Sequence, residues 1–293
     1  MRTNWFAVGL VLLGAGACAR AETGRSGGPG DTAALTGQAA VQEAVIPPGA
    51  AEARTRLAAS PRHGEWVMVR SGPSDSVRSW VVYPERADRA PVVLVVHEIF
   101  GLTNWVRAVA DQLAAEGFIA IAPDLLTMQN IPADSLGDPV SATATAAIRT
   151  LQRPDIHRQL KAVAEYGMSL PAAQRSYGIV GFCWGGSTAF LHAVEAPALK
   201  AAVVYYGTSP ATGELSAVRA PVLGLYGGDD ARVNATIPPA DSALKALGRS
   251  YEPHLFAGAG HGFLRQQDGR DGANLRASRA AWPLTVAWFR RYL

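Results

Sequence analysis

The stretch "YGIVGFCWGGSTAF", Tyr177 to Phe190, constrains this chain more than any other. Its first half is apolar and partly β-branched, as a strand buried on both faces is. Its second half, from Trp184, reads as a helix. Between them stands Cys183, with Gly181 two residues before it and Gly185 two residues after it. A chain that passes from strand to helix without a loop must turn sharply. Glycines at those two places keep side chains away from the apex. A buried structural cysteine does not need them, whereas a nucleophile held on a strained turn does. Strands and helices that alternate in this way build a mostly parallel sheet.

The flanking sequence repeats that unit. "EWVMVR" and "VRSWVVYP" read as two strands around the turn "SGPSDS". "PVVLVVH", "FIAIAPD", "KAAVVYYG", "APVLGLYGG" and "YEPHLFAG" read as further strands. "TNWVRAVADQLAAEG", "WGGSTAFLHAVEA", "PPADSALKALG" and Gly272 to Leu293 read as helices, and 141–170 as helix broken near Pro154. The expected fold class is α/β, with a mostly parallel central sheet, helices on both faces and sites at the carboxyl ends of strands. The stretch Gly207 to Pro221 is too short for a helical lid, so no large lid domain is expected, and the cleft should be open and suited to small polar substrates. The 293 residues are 48% hydrophobic and 17% charged, which suits one globular domain with an N-terminal extension. The net charge of +3 comes from scattered residues, without a basic run interleaved with aromatics, which argues against a nucleic-acid partner.

The extension has its own logic. Arg2 precedes an apolar run from Trp5 to Leu13, and small residues follow. That layout is a secretory signal, expected over residues 1–21. Cys18 after Gly16 and Ala17 also fits a lipoprotein signal, in which Cys18 would carry the membrane anchor; plain secretion is the other reading. Either way the chain is expected to be exported: periplasmic, secreted or lipid-anchored to a bacterial cell envelope. Residues 22–60 are rich in Ala, Gly and Pro and read as a flexible linker, with the domain at 61–293. With Cys18 in the signal, Cys183 has no partner for a disulfide.

Four chemically marked positions fall on the carboxyl ends of expected strands. Cys183 is the candidate nucleophile, with the Trp184 N–H as an oxyanion donor and the start of the helix favouring thiolate. Among six histidines, His261 in the loop "GAGHGF" is the candidate base. "YGGDDARV" offers Asp229 and Asp230 as the acid that orients it, with Asp230 favoured and Asp229 left for turn closure. Glu98 in "HEIFGL" ends a buried strand, looks the more exposed of the His97–Glu98 pair, and is placed to take the thiol proton. The Ile99 N–H is the second oxyanion donor. No metal or cofactor is expected: "HEIFG" lacks the second histidine of H-E-x-x-H, and no dinucleotide or P-loop pattern occurs.

Together "VVHEIFGL", "IAPDLL", "GIVGFCWGG", "YYG", "YGGDDARV" and "AGHGFLR" resemble the dienelactone hydrolase family of α/β-hydrolases, from about Arg62 to Leu293. The resemblance implies an α/β-hydrolase fold and cleavage of small esters or lactones by a cysteine-dependent triad through a thioester. It matches the family nucleophile, acid and histidine to Cys183, Asp230 and His261. It matches the thiol-activating glutamate to Glu98, the oxyanion donors to Ile99 and Trp184, and an arginine that holds the substrate carboxylate to Arg265. After "APDL" the family has a tyrosine and then a second arginine, where this chain has Leu126, Thr127 and Met128. The chemistry therefore carries over further than the substrate. Acyl transfer on the same triad, and a non-catalytic binding or thiol-sensing protein on the same scaffold, are the other readings; a monomer acting on a small molecule is expected.

Overall fold

A computed structural model of the chain describes residues 45–293. The expected signal at 1–21, Cys18 and the first part of the linker lie outside the described residues. The elements in order are α1 (Ala53–Ala58), β1 (Gly64–Arg70), β2 (Ser76–Val82), β3 (Ala90–Val96), α2 (Asn104–Ala115), β4 (Ile119–Pro123), α3 (Ser141–Ile148), α4 (Arg153–Ser169), β5 (Ala173–Phe182), α5 (Trp184–Glu195), β6 (Ala201–Tyr205), β7 (Val222–Gly227), α6 (Ala231–Asn234), α7 (Ile237–Ala246), β8 (Tyr251–Phe256) and α8 (Ala273–Tyr292).

The eight strands form one sheet in the order β1-β2-β4-β3-β5-β6-β7-β8. β1 and β2 run antiparallel at one edge, and β3 to β8 pair in parallel. Position in the sheet explains composition. β3, β4, β6 and β7 are buried along their whole length and read as continuous apolar runs. β1, at the edge, is buried only in part.

Alternation along the strands divides the core in two. Val93 and Val95 point to the face covered by α1, α2 and α8, where Trp105, Leu113, Trp282 and Phe289 pack. Val92, Leu94 and Val96 point to the other face, covered by α4, α5 and α7, where Leu160, Phe190 and Leu244 pack. The α/β architecture with helices on both faces is thus the observed one. The helical stretch 141–170 divides into α3 and α4, and Pro154 sits in the first turn of α4, where its missing N–H costs nothing.

One feature departs from the expectations. Residues 45–60 are docked rather than free: Ala53 is buried, Leu57 packs on the core, and the Pro48 carbonyl accepts from Trp105 Nε1 at 3.1 Å. The proline- and alanine-rich composition of a linker also suits a short docked segment, and burial of Ala53 and the prolines decides between the two. Gly207 to Pro221 holds only a 3₁₀ turn at Thr212–Ala217, as expected, and a different stretch lies beside the loop that carries Ile99. Leu126, Ala144 and Ile148 form a small separate cluster with Ile99 and Trp184 against it. Among the described residues no helix is long and apolar enough to cross a membrane.

Candidate active site

Cys183 lies between β5 and α5 with φ 56° and ψ −115°. A residue with a Cβ adopts such backbone only where its surroundings impose it. The surroundings here are packed backbone. A Cβ at Gly181 would fall 1.9 Å from the carbonyl oxygen of Gly185, and one at Gly185 would fall 2.4 Å from those of Val96 and His97. The turn is therefore wedged against the end of β3, and that contact brings Cys183 beside the loop carrying Glu98.

The thiol is half-buried. Burial pushes Cys183 up to about 11, the charge of Glu98 adds to the rise, and the Trp184 amide, Arg232 and Arg265 oppose it. This corrects the expectation of a thiolate favoured by the helix end: loss of solvent outweighs one amide and two cations. The resting group is a protonated thiol.

Glu98 is 3% exposed and His97 is fully buried, so neither is the surface residue that "HEIFGL" suggests. His97 is structural. Its Nε2 accepts from Leu125 N at 3.2 Å, which leaves Nδ1 to donate to the Glu98 carbonyl at 2.7 Å, and burial holds its pKa below the ordinary value. Burial lifts Glu98 to about 7, and the charge of Arg265 limits the rise. Arg265 Nε lies 2.6 Å from Glu98 Oε2. The N–H points aside from that oxygen, so the contact is an ion pair more than a hydrogen bond. The guanidinium also lies over the Phe100 ring, 5.0 Å from its centre.

His261 follows β8 in a loop held from α8, where Asn274 Oδ1 accepts from Gly260 N at 3.0 Å. His261 Nδ1 lies 2.5 Å from Asp230 Oδ2, and Asp230 is buried. Asp229 instead pairs with Arg270 at 3.0 Å on the surface. Among the described residues no hydrogen bond joins Cys183 Sγ to His261. The Ile99 and Trp184 amides, the expected oxyanion donors, flank this region, and neither has an oxygen acceptor among the described residues. His192 is bonded to Tyr177 and His254 to Glu252, which takes both away from the site.

Two relations at the site were not anticipated. One is the Glu98–Arg265 pair, between residues far apart in sequence. The other is Tyr206, fully buried, with φ 39°, its ring edge-on to His261 at 5.1 Å and its hydroxyl without a partner among the described residues. The doublet "YYG" at the end of a buried strand was its only signal. No group of three or more His, Cys, Asp or Glu among the described residues is placed to hold a metal ion. The arrangement suits acyl chemistry: a thiol on a strained turn with the Trp184 amide on it, a carboxylate able to change protonation state near neutrality, and an imidazole fixed by a carboxylate.

Comparison with known proteins agrees on the family. The profile of the Dienelactone hydrolase family matches residues 77–293. A protein of Salmonella typhimurium named "Putative carboxymethylenebutenolidase" is 32% identical over 232 residues, covering 74% of this chain and 84% of that protein. One of the same name from Escherichia coli K12 is 30% identical over 270 residues, covering 87% and 97%. The crystal structure described as "Putative Dienelactone Hydrolase from Klebsiella pneumoniae" superposes with a TM-score of 0.69 at 28% identity, over 79% of this chain and 99% of that one.

Proposed function

Because the chain belongs to the dienelactone hydrolase family, whose members hydrolyse lactones and esters, we propose that it cleaves small esters or lactones through Cys183, His261 and Asp230 by way of a thioester. The observation that carries this reading is the strained cysteine turn beside a buried glutamate that is itself paired with an arginine.

That pairing supports a resting state with a quiet thiol. Arg265 engages Glu98, and the thiol keeps its proton. A substrate bearing a carboxylate would compete for Arg265 and free Glu98. Glu98 then takes the thiol proton, and the sulfur attacks the carbonyl carbon. The Ile99 and Trp184 amides hold the oxyanion, a contribution typically worth about 10²–10³ in rate for one donor. The leaving oxygen takes a proton from His261, which enters the cycle as an imidazolium with its Nδ1–H on Asp230 and is restored by the proton it later takes from water. In the second half His261 takes a proton from water, and the hydroxide attacks the thioester. The released sulfur recovers its proton from Glu98. Every group returns to its starting state.

The test uses p-nitrophenyl esters and small lactones with wild type, Cys183→Ala and Cys183→Ser. Turnover by wild type and its loss by about 10³-fold or more in Cys183→Ala is the expected result. An inert wild type whose thiol still reacts with iodoacetamide would overturn the reading and bring a binding or thiol-sensing role forward.

A further inference from the structure

The segment ahead of β1 makes more bonds than a tether needs, to the loop that carries Arg265 and to the helix that follows the Glu98 loop. We propose that residues 45–58 are a strap that positions Arg265 against Glu98 and thereby sets the preference for acidic substrates. The inference rests on the reading of Arg265 as the group that takes the substrate carboxylate.

One anchor is the loop after His261. The Ala50 N–H donates to the Arg265 carbonyl at 2.9 Å, and Gln267 Nε2 donates to the Pro47 carbonyl at 2.8 Å. The Arg265 N–H is already bonded to Gly262 O at 3.0 Å, so the strap secures the other end of that same residue. The other anchor is α2, which follows directly on the loop carrying Glu98. Trp105 Nε1 donates to the Pro48 carbonyl at 3.1 Å, and Gln112 Nε2 to the Val45 carbonyl at 3.2 Å. Trp105 in turn packs edge-on against Phe182, the residue before Cys183, at 5.0 Å.

Four residues, Pro47 to Ala50, thus span the gap between the two sides of the Glu98–Arg265 pair. Two of them are prolines with fixed φ, and Pro47, Pro48 and Gly49 are buried, so the span is stiff. Ala53 anchors its far end in the core. Arg265 holds a long flexible side chain, and where its head group rests depends on where its backbone is held. A shift of about 1 Å in such a contact is enough to change rates by orders of magnitude.

The experiment uses the full chain. Ala50→Pro removes the N–H at an exposed position, Ala50→Gly keeps it, and Gln267→Leu removes the second bond. Arg265→Gln serves as the reference. Each is assayed on a neutral ester, p-nitrophenyl acetate, and on an acidic one, the p-nitrophenyl half-ester of succinic acid. Iodoacetamide alkylation of Cys183 is followed across pH as a readout independent of turnover. Ala50→Pro and Gln267→Leu should raise KM for the acidic ester by about tenfold, the loss of roughly one or two hydrogen bonds, with the neutral ester changed less than about twofold. Ala50→Gly should behave as wild type. The alkylation midpoint should move to higher pH in the first two, because the cation that opposes protonation of Glu98 and Cys183 is held less firmly. Equal losses on both esters, or a lower melting temperature without a change in their ratio, would overturn the strap. If Arg265→Gln separates the esters and Ala50→Pro does not, the strap alone fails. If Arg265→Gln does not separate them, the reading of Arg265 falls and the strap with it.

Discussion

At the scale of single residues, burial and neighbouring charges move Cys183 and Glu98 away from their ordinary values. Cys183 is raised to about 11 by burial and by Glu98. Its alkylation rate should therefore keep climbing by up to about tenfold per pH unit well beyond the ordinary thiol range near 8.5. A plateau by pH 9 in an iodoacetamide series would contradict this. Glu98, lifted to about 7, is protonated in part at neutral pH and a carboxylate above it. Hydrolysis that depends on Glu98 as proton acceptor should accordingly rise through pH 7, and Glu98→Gln should remove that limb of the kcat/KM profile. The two aspartates separate the same way. Asp230→Asn should lower kcat by about 10²–10⁴, because the imidazole loses the partner that holds its orientation. Asp229→Asn, which removes only a surface pair with Arg270, should leave kcat within about twofold. Cys183 and His261 were legible in the sequence because each follows an apolar run and is framed by glycines. The choice of Asp230 was legible only as a preference, since both aspartates follow the same strand.

At the scale of elements, the cysteine turn is where sequence and structure constrain each other most tightly. Gly185 has two carbonyl oxygens 2.4 Å from where a Cβ would stand, and both belong to backbone that cannot swing aside. Gly185→Ala should destabilise the protein by about 2–4 kcal/mol. Gly213→Ala, where a Cβ would meet nothing within 4 Å, should change stability by less than about 0.5 kcal/mol. Thermal melts of the two beside wild type check the contrast. Strand composition was equally legible, because a strand flanked on both sides cannot tolerate polar residues on either face. The short segment at 53–58 was not. Six helical residues rich in Ala and Arg carry no periodic signal strong enough to distinguish a docked turn from a linker.

At the scale of the whole molecule, the folded unit begins earlier than composition suggests. A chain starting at residue 45 keeps the acceptors for Trp105 Nε1 and Gln112 Nε2, whereas one starting at residue 61 loses both and uncovers the pocket filled by Ala53. With about 1 kcal/mol for each of these two bonds, the shorter chain should melt roughly 4–8 °C lower. Equal melting temperatures would mean that the segment adds nothing to the stability of the domain.

What the sequence by itself determined is whatever depends on near neighbours along the chain. That covers the order of strands and helices, the sharp turn at Cys183, the burial of the central strands and the candidate residues at their ends. The tertiary structure alone decided the pairings across the sheet. Glu98 and Arg265 meet only because the parallel pairing brings the carboxyl ends of β3 and β8 to the same end of the sheet. Asp230 rather than Asp229 faces His261 because of how the chain leaves β7, and the thiol keeps its proton because folding removes water from around it. Local pattern sets what a segment can be. Desolvation and long-range contact, which arise only once the sheet is assembled, set which proton sits where.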